Sequence, residues 1–334
     1  MVVTLSGYYG FRNAGDEAIL MALIREARRR GVEPVVLSAD PQGTESLHGT
    51  EAVPRMSLAL ARTLQQSDGL LSGGGGLLQN KTSGKSLAYY LGLLYLAQSL
   101  RKPTWILGQS LGPLSPGGMR LAAPALKRSR AVVVRDQESL KLARRMGVAP
   151  NRLRLGADAA LLLEPPHVSR EERLVVLVPR ARVPLEANRR MREVAERLQA
   201  LGYELLVLGF QPNFDEPALE LFNGFNREIS GDPRRVLYLI AQAGYVLSLR
   251  LHGLILAAVA GTPFAGGSYD PKVKAFCTES GAPYWELPGD PEAMVQMALH
   301  RAGPKKSALR DLKIRAAEGI NHVWGKPPPR QPSG

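Results

Sequence analysis

Cysteine is nearly absent from this chain. Cys277 stands alone, which excludes an internal disulfide and any metal site built from several thiolates. Long apolar runs are missing too. The longest, around Leu87–Ala97, is interrupted by tyrosines and a glycine and falls short of the roughly 18 residues a bilayer-spanning helix needs. The opening Met1-Val-Val-Thr-Leu-Ser-Gly7 has no basic segment and only a short apolar stretch, so no signal peptide is expected and the chain reads as cytoplasmic. The five histidines include no pair at ligand spacing, so no metal site is expected. Acidic charge is scarce: 30 Asp and Glu against 43 Lys and Arg leave a net charge of +13. That excess suits an anionic partner such as a phosphate-bearing substrate, a lipid-linked polymer or a membrane surface, and it equally suits plain arginine enrichment. The basic residues are scattered (Arg25, Arg28, Arg29, Arg30; Arg144, Arg145; Arg189, Arg190) and no helix-turn-helix, zinc finger or aromatic RNP-like stretch accompanies them. Nucleic acid is therefore not the expected partner.

What is present is alternation. Over 334 residues, enough for two domains, short β-branched runs alternate with helical patterns, as in parallel sheets with crossover helices. Strands are predicted at Val2–Leu5, Pro34–Leu37, Gly69–Leu71, Thr104–Leu107, Ala131–Arg135 and Leu153–Leu155. The pattern pauses in the Pro-rich, charged stretch Pro165–Arg173 and restarts with strands at Leu174–Val178, Leu205–Phe210 and Tyr245–Leu249. The expected organisation is α/β: a Rossmann-like parallel-sheet domain over residues 1–165, a second over 166–325, and a disordered polar tail over 326–334. Two such domains place a substrate cleft between the carboxyl ends of their sheets.

Five stretches carry candidate chemistry. The first strand runs into Gly7-Tyr-Tyr-Gly-Phe-Arg-Asn13-Ala-Gly15-Asp16-Glu17 and then a helix. A glycine-bearing turn at a helix N-terminus suits an anion or a hydroxyl, although Asp16 also fits a plain helix cap. The run Ser72-Gly-Gly74-Gly75-Gly-Leu-Leu-Gln-Asn80 implies close approach of backbone to a ligand or to another element. Gly84-Lys85-Ser86 invites a P-loop reading, but the first glycine of that motif would fall on Gln79, so an NTPase is excluded. Arg135-Asp136 ends a strand and fits either a ligand contact or a surface ion pair. In Ser248-Leu-Arg250-Leu-His252-Gly253 a strand delivers a bidentate guanidinium and an imidazole at its carboxyl edge. Lys272, opening a helix after Tyr269-Asp-Pro, suits an anion or plain solvent.

Together these stretches, in this order, resemble the polysaccharide pyruvyl transferase family, in particular the branch that pyruvylates secondary cell-wall polymers. The resemblance implies a GT-B-like fold and phosphoenolpyruvate as donor. It also implies a lipid-linked or polymeric sugar acceptor of the N-acetylmannosamine class, converted to a 4,6-ketal that anchors surface-layer-homology domains, with no cofactor. On this resemblance His252 and Asp16 are the catalytic candidates, with Asp16 on the acceptor side. Arg135, Arg250 and Lys272 match donor-binding positions, and Asn13, Gly15, Gly74 and Gly75 fall in acceptor or loop contacts. Asn80 departs from the family pattern, which leads to an expected Asp. Work at the inner face of the membrane, with peripheral membrane contact, and homo-oligomerisation stay open. So do two rival activities, a GT-B nucleotide-sugar glycosyltransferase and a non-catalytic sugar-binding protein that would not need His252. Removing Arg250 is expected to leave the fold intact while weakening donor use.

Overall fold

The computed structural model describes residues 1–57, 59–80 and 84–327. The polar end 328–334, most of the expected tail, lies outside the described residues. Contacts divide the chain into two compact units. The first comprises Met1–Phe11, Ile19–Ala159 and Lys313–Gly334, and the second Arg12–Ala18 and Ala160–Leu312. Against the sequence expectation, residues 12–18 count with the second unit and the chain's last segment re-enters the first.

In the first unit β1 (Val2–Ser6), β2 (Glu33–Ser38), β3 (Ala52–Pro54), β4 (Gly69–Gly73), β5 (Thr104–Gln109), β6 (Ala131–Val134) and β7 (Leu153–Leu155) form one sheet in the order β3-β2-β1-β4-β5-β6-β7. Every pairing is parallel. The central strands are apolar runs buried on both faces, as parallel sheets covered by helices require. Leu70, Ile106, Val132 and Val134 share a core with Leu87, Leu91 and Leu94 of the helix Gly84–Ser99 and with Ala122 and Leu126 of Pro116–Arg128.

The second unit repeats the plan. Its strands are β8 (Glu171–Val178), β9 (Glu204–Gly209), β10 (Asn226–Ile229), β11 (Ala243–Ser248), β12 (Phe264–Ser268) and β13 (Tyr284–Glu286), ordered β10-β9-β8-β11-β12-β13, again all parallel. Val175, Leu177, Val207 and Leu247 pack on Met191, Val194 and Leu198 of the helix Leu185–Ala200. Each chain half winds outward from its first strand, then returns beside it and winds the other way. Each sheet therefore has one reversal of strand order, between β1 and β4 in the first unit and between β8 and β11 in the second. Ligands in open α/β sheets bind outside the strand ends at such reversals.

The end of the expected linker, from Glu171, is already β8. Among the described residues no helix is long and apolar enough to cross a membrane.

Candidate active site

β11 ends at Ser248, and the turn that follows is fixed by its own hydroxyl. Ser248 Oγ accepts the Arg250 N–H at 3.0 Å and donates to the Arg250 carbonyl at 2.8 Å. Arg250 immediately precedes the helix Leu251–Ala260, so His252 sits in that helix's first turn. The Arg250 side chain runs inward. The residue is 4% exposed, and its Nη2 donates to Oδ1 of Asp215, which is fully buried. Oδ2 of Asp215 accepts the N–H groups of Phe210 (2.9 Å) and Gln211 (3.1 Å), just after β9. Burial holds the Arg250 pKa below its ordinary value; Asp215 opposes that shift and Arg180 adds to it.

Beside Asp215 stands Phe214, a half-buried ring that faces three guanidiniums. Arg182, Arg250 and Arg180 lie 4.9, 5.7 and 5.8 Å from its centroid. Arg180 also faces the Tyr269 ring at 5.0 Å. Arg180 and Arg182 follow β8, Phe214 and Asp215 follow β9, Arg250 follows β11 and Tyr269 follows β12. Four adjacent strands thus deliver the cluster to the carboxyl side of the sheet, astride its reversal of order.

The glycine-bearing turn of the N-terminal motif joins this cluster. The helix expected from Asp16 begins earlier, at Ala14, so Asp16 lies within its first turn and is not its cap. Asn13 precedes it, and Asn13 Oδ1 accepts the Gly15 N–H at 3.1 Å. Ala14 N–H donates to the Phe210 carbonyl at 2.9 Å, and Asn13 reaches the Gln211 side chain at 3.5 Å. A Cβ placed on Gly15 would stand 2.3 Å from His252 Nδ1, so only glycine lets the imidazole lie against this turn. Asn13, Gly15, Asp16, Arg250, His252 and Lys272 all belong to the second unit. Lys272 falls inside the helix Pro271–Ser280, in its first turn, where its N–H donates to the Asp270 cap at 3.0 Å.

Arg135, Gly74 and Gly75 belong to the first unit. Arg135 does not form the surface pair with Asp136 that the sequence left open. Its Nη1 donates to buried Asp158 at 2.6 Å and its Nε to Ser110 Oγ at 2.7 Å, while Asp136 caps the helix Gln137–Arg145. The glycine run after β4 serves close packing: Gly74, at φ 63°, would place a Cβ 2.4 Å from Ile19 Cγ2, and the Gly75 carbonyl accepts the Ser110 N–H at 2.9 Å. Asn80, the departure from the family pattern, donates from Nδ2 to Ser115 Oγ at 2.7 Å and accepts the Ser115 N–H at 3.0 Å. An ionised carboxylate at this position could accept from Ser115 but could not donate to its Oγ.

A model of the family described as "Polysaccharide pyruvyl transferase" matches residues 13–271. The chain belongs to that family. The matched span opens on Asn13 and includes Arg135, Arg180, Asp215, Arg250 and His252; Lys272 lies one residue beyond it. No curated protein matches the sequence. Among solved structures, the chain is similar to S. aureus MnaA in a co-structure with UDP, at 11% identity and a TM-score of 0.64 over 96% of this chain and 95% of that one. It is also similar to the UDP-GlcNAc 2-epimerase of Neisseria meningitidis bound to UDP-GlcNAc, at 12% identity and a TM-score of 0.60 over 96% and 98%. Anabaena Alr3699/HepE in complex with UDP and glucose aligns at 12% identity and a TM-score of 0.60 over 97% of both chains. These likenesses establish a GT-B-like fold of two parallel-sheet α/β domains.

For this pyruvyl transferase family member, sequence reading singled out Arg250 and His252 but passed over Arg180, Arg182, Phe214 and Asp215. The available signal was Pro179-Arg-Ala-Arg182 directly after the strand Leu174–Val178. It is the same arrangement, charge at the carboxyl end of a strand, that drew attention to Arg135.

Proposed function

We propose that this chain transfers the pyruvyl group of phosphoenolpyruvate to two hydroxyls of one sugar, of the N-acetylmannosamine class and carried on a lipid-linked or polymeric cell-wall precursor. The product is a 4,6-ketal and the leaving group inorganic phosphate. The observation that carries the reading is the convergence, within one unit, of His252, the glycine turn Asn13–Asp16 and a guanidinium cluster with a single carboxylate in contact. Phosphoenolpyruvate brings a carboxylate and a phosphate, and fixed cations stabilise such a donor and its leaving phosphate.

The chemistry balances without a redox partner. A proton adds to the methylene carbon and leaves an oxocarbenium-like centre at the neighbouring carbon. One sugar hydroxyl attacks that centre and loses its proton, phosphate departs, and the second hydroxyl closes the ring, giving up its proton to the released phosphate. His252 carries a proton in this scheme, with Asp16 next to Gly15 as the second acid/base candidate. Arg250 and Lys272 provide positive charge toward the donor, Asn13 and Gly15 shape the floor beneath the imidazole, and Gly74 and Gly75 contribute backbone on the acceptor side. Arg135, engaged by Asp158 and Ser110, acts by ordering its own loop. Synthesis of such precursors places the work in the cytoplasm, against the inner face of the membrane.

The rival is nucleotide-sugar chemistry, the kind of ligand that relatives of the same fold hold as UDP or a UDP-sugar. Both are tested by incubating the protein with an N-acetylmannosaminyl lipid analogue and either phosphoenolpyruvate or a UDP-sugar. Phosphate release matched by a pyruvylated product is expected with the first. Release of UDP from the second, with phosphoenolpyruvate inert, would overturn the reading.

A further inference from the structure

The three guanidiniums around Phe214 are not equivalent. Arg250 is committed to Asp215, yet its buried Nε has no hydrogen-bond partner among the described residues. Arg180 and Arg182 form no ion pair among the described residues, although all four arginines of the helix just downstream, Arg189, Arg190, Arg192 and Arg197, pair with glutamates. The segment bearing Arg180 is held in place. Asn188, buried on the helix Leu185–Ala200, donates to the Arg180 carbonyl at 2.9 Å and accepts its N–H at 3.3 Å. A fixed backbone, two uncommitted guanidiniums and an inner one lacking a partner for Nε leave excess positive charge beside a half-buried ring. A phosphate dianion is the ligand that this charge matches, because each of its oxygens accepts from a guanidinium fork.

We propose that Arg180 and Arg182 form a phosphoryl-binding subsite of the second unit, with Arg250 as its inner wall. On the reading that the donor is phosphoenolpyruvate, they receive the phosphoryl group that leaves as inorganic phosphate. The subsite assignment itself needs only the anion. Phe214 positions the three cations through its ring face.

The test uses the full chain and inorganic phosphate, with binding followed by calorimetry for wild type, Arg180→Gln, Arg182→Gln, the double variant and the control Arg190→Gln, whose guanidinium is paired with Glu186 and Glu193. Loss of one charge-assisted contact corresponds to about a tenfold or larger drop in affinity. That drop is expected for Arg180→Gln, a smaller one for the more exposed Arg182, a greater one for the double variant, and no change for Arg190→Gln. Arg180→Lys should recover part of the loss, since it keeps the charge and not the fork. Absence of saturable phosphate binding by wild type, or equal affinity in wild type and the double variant, overturns the subsite. The donor reading is scored separately. If phosphate binds through Arg180 but phosphoenolpyruvate yields no product, the subsite stands and that reading fails. If Arg180→Gln and the double variant use phosphoenolpyruvate with wild-type KM and kcat, the subsite fails and that reading stands.

Discussion

Each unit gathers three arginines, around a buried carboxylate in the first and around an aromatic ring in the second. In the first unit Arg25, Arg29 and Arg30 all turn toward Glu26, at 3.5, 3.0 and 2.7 Å. Arg30 goes on to the Asn321 side chain (2.7 Å) and the Gly325 carbonyl (2.8 Å), tying the last helix to the sheet's first crossover. In the second unit only Arg250 meets the carboxylate, Asp215, while Arg180 and Arg182 gather on the Phe214 ring. Composition cannot tell these clusters apart. What separates them is where the carboxylate's oxygens point: Glu26 spends both on guanidiniums, whereas Asp215 gives one to backbone N–H groups and has one left for a single arginine. The first cluster is a staple, and the second leaves Arg180 and Arg182 without an ion pair among the described residues, as the proposed phosphoryl subsite requires.

That contrast is broken most severely at His252. If the second cluster serves chemistry, His252→Ala should cut turnover by about two to four orders of magnitude, the span for losing a general acid/base. Donor affinity should change far less, because the guanidiniums remain. His252→Gln keeps a hydrogen bond and cannot carry a proton, so it should be nearly as slow. The measurement is turnover and donor affinity for both variants, with folding checked by circular dichroism. A Gln variant at most of the wild-type rate would reduce His252 to positioning and turn attention to Asp16.

Arg250 gives the next largest effect, and here the structure revises the expectation of an intact fold. Arg250→Ala leaves Asp215 buried without its cation, a loss of about 3–5 kcal/mol when one partner of a buried pair is removed. Denaturant unfolding should show it. Arg250→Lys retains the charge without the fork and should lose less stability while still weakening donor use. Wild-type stability for the Ala variant would mean that Asp215 finds another partner.

Sheet frameworks were legible because apolar runs such as Leu174–Val178 and Ala131–Val134 leave no other reading. The short pieces were not. β10 (Asn226–Ile229) is an edge strand whose Arg227 and Glu228 carry no apolar pattern, and the helices Pro41–His48 and Ala59–Gln66 are two turns each. The site divides in the same way. Arg250 and His252 are two residues apart in sequence, so one strand-to-helix junction revealed both. Arg180, Phe214 and Tyr269 meet Arg250 only because β9, β8, β11 and β12 are neighbours in the sheet, and strand order is not a local property. The Gly15 contact with His252 was hidden for the same reason.

Glycine sharpens the comparison from the first unit's side. Gly74→Ala puts a methyl group where Ile19 already sits, at a left-handed φ of 63°. The expected cost is about 2–4 kcal/mol from overpacking and backbone strain combined, read as a lower denaturation midpoint. A change at Arg180 or Arg182, which form no ion pair among the described residues, should instead alter binding at nearly constant stability. A Gly74→Ala protein as stable as wild type would show that Ile19 moves aside cheaply.

Glu26 carries the smallest effect and the clearest sign. Burial pushes its pKa up, but the hydrogen bond from Arg30 and the charges of Arg29 and Arg30 outweigh burial, so the net shift is downward. A carboxyl whose pKa is lower in the folded state contributes stability that is present above its unfolded value, near 4.5, and is lost as pH falls through the folded value. Glu26→Gln removes the charge at every pH. Wild type should therefore be more stable than the variant at pH 7, by about 1–3 kcal/mol given that three guanidiniums lose their partner and two of them lie near solvent. The gap should narrow steadily as pH drops below the unfolded value, until the two unfold alike. The measurement is denaturant unfolding of both proteins from pH 7 to pH 3. Parallel curves across that range would mean that Glu26 does not titrate with folding, and the first cluster would lose its standing as a staple.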